Sequence, residues 1–145
     1  MSHILIAVDN SPMAAEVFKV GLGLAQKVGA KVQFLRVINR NVDYMPPNTG
    51  EVYADQWAAR QHLAEDDLNK VKAEHPDIDI EVSVFIGDPE VDIIEQAIKH
   101  HSAFIVLGTH GRTGLSQLVL GSIAEYIVRH SPLPVIVVPY RTKVH

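Results

Sequence analysis

The sequence predicts an open, doubly wound α/β domain built on a parallel sheet of five strands. Three observations predict it. The short apolar runs are mostly near-continuous rather than alternating, as in strands covered on both faces. Helical patterns lie between them, and every connection is long enough for a right-handed parallel crossover.

Ile4–Val8 is the first strand. Asn10-Ser11 then offers a helix cap, with Pro12 expected at the first helical position, where a missing N–H costs nothing. Ala14, Phe18, Gly21, Leu22, Ala25 and Val28 share one helical face, and Gly29 can close that helix. Val32–Ile38 is the second strand, and 39–50, rich in Asn and Pro, reads as a long loop. The second helix is polar, with Ala54, Trp57, Ala64, Leu68 and Val71 expected inward, Gln61 interrupting the stripe and Pro76 as its stop. Trp57 reads as core or interface packing. Ile80–Ile86 alternates more clearly than the other runs, which suits an edge or half-exposed strand. Asp88-Pro89 starts a third helix with Val91, Ile94 and Ile98 expected inward. Ala103–Leu107 is the fourth strand, a last helix runs to about His130 before Pro132, and Val135–Val138 is the fifth strand.

Length and composition narrow the function. A chain of 145 residues fits one domain spanning 1–145, with no internal repeat or linker. The net charge of −4 supplies no sequence-wide basic field for nucleic acid or anionic lipid. Cysteine is absent, which excludes disulfides, thiol catalysis and thiolate metal sites. The start carries no basic residue before a short apolar run, and no stretch approaches about twenty apolar residues, so no leader or membrane span is expected. The expectation is a cytoplasmic protein. Eight histidines raise the question of a metal, but His100-His101 face different ways on a helix and no H-E-x-x-H spacing occurs, so none is expected.

Ligands of such sheets sit at the carboxyl ends of the strands. There the fourth strand runs into Gly108-Thr-His-Gly111-Arg-Thr-Gly114, and the last helix opens at Gly121-Ser122. Glycines at a strand exit and a helix start admit the close approach of backbone N–H groups to a phosphate, which the helix dipole also favours. The same glycines could serve plain turns. The full spacing G-x2-G-x9-G-S arises by chance in roughly one chain of this length in a hundred or more, at about 7% glycine per position. Ser122 and Glu125 have the spacing of a capping box, which places the helix start independently of any ligand.

This segment, with Ile-Ala-Val-Asp9-Asn-Ser at the start and Pro134-Val-Ile-Val-Val-Pro139 at the end, resembles the universal stress protein family over essentially the whole chain. Gly108, Gly111, Gly121 and Ser122 match every position of the pattern that marks its nucleotide-binding branch. The resemblance implies a Rossmann-like sheet of order 3-2-1-4-5, ATP at the strand ends, and dimers. It further implies that Asp9 and Val37 contact adenine, that Ala7 and Leu107 line the ribose region, and that Gly111, Gly121, Ser122 and Ile123 meet the phosphates.

Asp9 suits the nucleoside end, since a carboxylate facing phosphates would repel them; it could equally serve the turn before the first helix. Val37 could reach adenine or simply end a strand in the core. His110 and Arg112, inside the Gly-rich segment, could face phosphate oxygens, and the guanidinium fork suits that task. Mg²⁺ could ride on bound ATP with few protein ligands.

A scaffold that keeps the fold and binds nothing is one reading, which the intact glycine pattern counts against; two further functions are open. One is a stress-response regulatory module whose homodimer meets an unidentified protein partner according to bound ATP. The alternative is a slow ATPase or an adenylate-transferring enzyme on the same fold, although G-x4-G-K-(S/T) is absent and no catalytic motif is found. The dimer is expected through Val135 to Tyr140, because an apolar edge strand without lysine invites pairing.

Overall fold

The computed structural model describes residues 2–41, 53–109 and 120–139. Its elements alternate as expected: β1 (His3–Ala7), α1 (Ala14–Val28), β2 (Lys31–Asn39), α2 (Tyr53–Ala73), β3 (Ile80–Gly87), α3 (Pro89–Lys99), β4 (Ser102–Gly108), α4 (Ser122–His130) and β5 (Val135–Val138). The strands form one parallel sheet of order β3-β2-β1-β4-β5, with β3 at an edge as its alternation predicts.

Alternation along the strands divides the core in two. Ile4 and Ile6 of β1, Val32 and Phe34 of β2 and Val106 of β4 pack with Val17, Leu22 and Ala25 of α1 and with Ala64 and Leu68 of α2. Leu5 and Ala7, Leu35, Ile105 and Leu107 face the other way, against Ile93 and Ala97 of α3 and Ala124 and Ile127 of α4. Helices therefore cover both faces, and the central strands are apolar throughout because neither face meets water.

Helix α1 lies close to β1 because Gly21 faces it; a Cβ there would stand 2.5 Å from Ile6 Cδ1. Phe18 packs on Phe34 with ring centroids 4.8 Å apart. Gly29 closes the helix in the left-handed conformation, φ 67°, which favours glycine. The start differs from expectation. Met13 is the N-cap residue and Pro12 lies in the turn before it, because the Ala14 N–H is taken by the Ser11 carbonyl at 3.1 Å. Val17 is buried on the inward face, and Val28, expected there, is exposed.

On α2, Ala64 and Leu68 are buried and Trp57 and Val71 half-buried against the same core; the side chain of Ala54 lies outside the described residues, as do residues 42–50 of the expected loop. Arg60 sits over the Trp57 ring at 5.4 Å. On α3, Asp88 caps the helix as expected, accepting the Glu90 N–H at 3.2 Å. Its inward stripe is Pro89, Ile93 and Ala97, whereas Val91 and Ile98 are exposed and Ile94 is only partly covered. The sequence carries two overlapping stripes there, and the one with the small Ala97 lets the helix sit closer to the sheet.

Candidate functional site

The chain leaves β1 toward β2 and returns from β3 to β4 on the other side of β1, so the connections diverge over the carboxyl ends of β1 and β4. That divergence opens a crevice at the strand ends. Its rim consists of Ala7 to Asp9, Leu107 to Thr109 and the start of α4 at Gly121 to Ile123.

Four of the expected residues converge on one side of the sheet. Ala7 and Leu107 are buried in the cluster beneath α3 and α4, and Val37 and Ile123 pack partly buried against it. The side chains of Ala7 and Leu107 are committed to that core, so what those two residues offer the crevice is main chain.

Asp9 is half-buried, and its Oδ1 accepts the Ser11 N–H at 2.8 Å, a turn closed by a side chain across two residues. Among the described residues its Oδ2 carries no hydrogen bond. The turn role of Asp9 is thus observed, and it occupies only one of the two carboxylate oxygens. Ser11, read from the sequence only as a helix cap, follows in that turn; its Oγ is buried without a partner among the described residues. The D-x-S spacing was the available signal.

Helix α4 begins at Ser122, but Ser122 does not cap it. Gly121 is the N-cap residue, extended at φ −66° and ψ 163°, and among the described residues no side chain caps the helix. The Glu125 carboxylate pairs with Arg129 at 3.1 Å instead of reaching back, so the expected capping box does not form. The N–H groups of Ser122, Ile123 and Ala124 have no intrahelical acceptor. Uncapped donors at the positive end of a helix dipole suit an anion. By contrast, the α3 start already holds the Asp88 carboxylate.

Thr109, which is nearly buried, ties the rim together. Its N–H donates to the Val138 carbonyl at 3.0 Å, and its carbonyl accepts the Gly121 N–H at 2.6 Å. Strand β4, strand β5 and the cap of α4 are thereby joined through one residue. Gly108 stands at the strand exit, and its bare α-carbon faces Met13 and Val17, so helix packing by itself already calls for a glycine there. His110, Gly111 and Arg112 lie outside the described residues. Among the described residues no three His, Asp or Glu side chains gather as a metal set, and no helix is long and apolar enough to cross a membrane.

Two open clefts lie elsewhere. One of about 580 Å³ follows the β3 edge beside Glu65, Asn69 and Lys72 of α2, and one of about 470 Å³ lies between Gly29–Lys31 and Asp77–Asp79. Neither reaches the rim of β1 and β4.

Comparison with known proteins agrees with the fold. The family model described as "Universal stress protein family" matches residues 1–139. A universal stress protein of Methanocaldococcus jannaschii is 31% identical over 141 residues, covering 93% of this chain and 80% of the relative. The solved universal stress protein of Lactobacillus plantarum superposes with a TM-score of 0.81 at 26% identity, covering 94% of this chain and 97% of that one. The fold is also shared, at 20% identity, with a universal stress protein solved in complex with cAMP (TM-score 0.63) and one from Archaeoglobus fulgidus solved with dAMP (TM-score 0.61); each match covers 94% of this chain, with 95% of the first and 97% of the second. With a matching model over nearly its full length, a relative above 30% identity and the same strand order, this chain belongs to the universal stress protein family.

Proposed function

We propose that the chain is a cytoplasmic, ATP-binding stress-response regulator acting as a homodimer. The nucleoside would lie toward Asp9 and Val37, with the ribose over the main chain of Ala7 and Leu107. The phosphates would meet Gly111, Gly121, Ser122 and Ile123, with His110 and Arg112 near them and Mg²⁺ carried on the phosphate oxygens. The observation that carries this reading is the uncapped start of α4, standing at the strand ends where the connections diverge. The unpaired Ser11 Oγ and Asp9 Oδ2 beside the same rim are further groups suited to a polar ligand. Relatives solved with cAMP and dAMP support an adenine nucleotide.

In this reading ATP acts as a conformational ligand. It favours the arrangement of residues 110–120 that it binds best, and a partner protein meets the dimer in that arrangement. Isothermal titration of ATP into Gly111→Val and Gly121→Val variants tests the site. Gly121 has an extended backbone that valine can adopt, so that variant should fold. Its added side chain should weaken ATP at least tenfold, about 1.4 kcal/mol. Unchanged affinity in folded protein would remove this segment from the site.

A further inference from the structure

Gly108 opens the glycine-spaced segment, yet the space beside it is already taken. A Cβ built there would overlap Met13 Sδ, with Met13 Cγ at 2.9 Å and Val17 Cγ2 at 3.3 Å. Met13 is 4% exposed, and its own backbone caps α1 directly after the turn that Asp9 closes on Ser11. Its thioether therefore lies against the main chain at the point where the segment departs from β4. One residue on, Thr109 is held by Val138 on one side and holds the Gly121 N–H on the other. Gly121 is the N-cap residue of α4. A continuous series of contacts thus runs from Met13 through Gly108 and Thr109 to the first turn of α4, whose Ser122 to Ala124 N–H groups have no intrahelical acceptor.

We infer that Met13 is a positioning residue for the phosphate end of the site. By seating the Gly108–Thr109 main chain it sets where Gly121 and the α4 donors stand, and so adjusts affinity for phosphate without touching the ligand. Methionine suits the task because an unbranched, polarisable side chain can conform to a bare stretch of backbone. The inference rests on the nucleotide reading above.

A double-mutant cycle tests it: Gly108→Ala, Met13→Ala and the double variant, each titrated with ATP and with adenosine and checked for folding by thermal denaturation. Gly108→Ala should push the strand end off Met13 and weaken ATP about tenfold, while adenosine stays within about twofold. Met13→Ala alone should weaken ATP by about threefold. Removing the thioether makes room for the new methyl group, so the double variant should recover to within about threefold of the unmodified protein. A purely structural defect would lower ATP and adenosine alike. If Gly108→Ala does not fold, the double variant must, because the same atoms are in conflict; an unfolded double variant overturns the inference. An unmodified protein that ignores ATP overturns the nucleotide reading and this inference with it. ATP binding by the unmodified protein, with losses that simply add or with adenosine falling equally, overturns the role of Met13 alone.

Discussion

The side-chain amide of Gln61 on α2 donates to the main-chain carbonyl of Val84 on β3 at 3.0 Å. Val32 and Arg40 take the carbonyls of Asp79 and Gly87, so the odd-numbered positions of β3 bond to β2 and the even-numbered ones face outward. Gln61 thus occupies an edge acceptor, and Arg40 does the same for the Ile86 carbonyl at 3.3 Å. Two of the outward carbonyls of this edge are thus closed by side chains. Gln61→Leu would complete the apolar stripe of α2, yet the lost bond should make the protein less stable by about 1 kcal/mol. Urea denaturation with an unchanged or higher midpoint would show that the stripe, not the edge, governs this position.

Gly21 is a packing glycine. A Cβ there would stand 2.5 and 2.8 Å from Ile6 Cδ1 and Cγ1. Gly21→Val should cost about 1–3 kcal/mol by overpacking, and Ile6→Val in the same chain should recover part of it. Thermal melts of the single and double variants decide this; strictly additive losses would mean the two side chains do not compete.

Asp9 joins turn and ligand. Asp9→Ala removes both the Ser11 bond and the remaining oxygen, and should weaken ATP and adenosine by similar factors of about ten. Asp9→Asn keeps an acceptor for the Ser11 N–H, so its stability should match the unmodified protein while its affinity changes. Calorimetry that finds adenosine indifferent to Asp9→Ala would reverse the ligand's proposed orientation.

The dimer prediction gains a sharper variant from the structure. Ile105 and Thr109 take the carbonyls of Pro134 and Val138, so Val135 and Val137 direct their N–H and C=O groups outward from β5. Val138 is buried in the core and Ile136 packs against it, so lysine at either would unfold the subunit. Val137→Pro deletes an outward donor and leaves the β4 ladder intact. Sedimentation should show a homodimer for the unmodified chain and a folded 16.0 kDa monomer for the variant. A dimer that survives Val137→Pro would place the interface elsewhere.

Strands were legible because burial on both faces writes itself as uninterrupted Val, Ile and Leu, and the alternating β3 marked its own edge position; the full strand order came with the family resemblance. Helix faces were less so. Between Pro89 and Ile98 two stripes compete, and the choice between Ile93 with Ala97 and Val91 with Ile98 depends on how near the sheet comes, which no local pattern records. The start of α1 was misplaced because Asp9 and Ser11 form their own turn, which leaves Pro12 outside the helix. The glycine spacing pointed to the candidate site. Its parts were not separable by spacing alone: Gly108 is required by Met13, far away in the sequence, whereas Gly121 leaves a helix end uncapped.

The bond from the Gly121 N–H to the Thr109 carbonyl also has a consequence in chain statistics. It ties the ends of residues 110–120 together as part of folding itself. Bringing together the ends of a free segment of about eleven residues costs roughly 2 kcal/mol of entropy, growing only with the logarithm of length. A ligand arriving at this rim does not meet that term, because folding has already closed the ring. Ring size should then be nearly silent in stability: doubling it with a Gly-Ser insertion would cost about 0.6 kcal/mol.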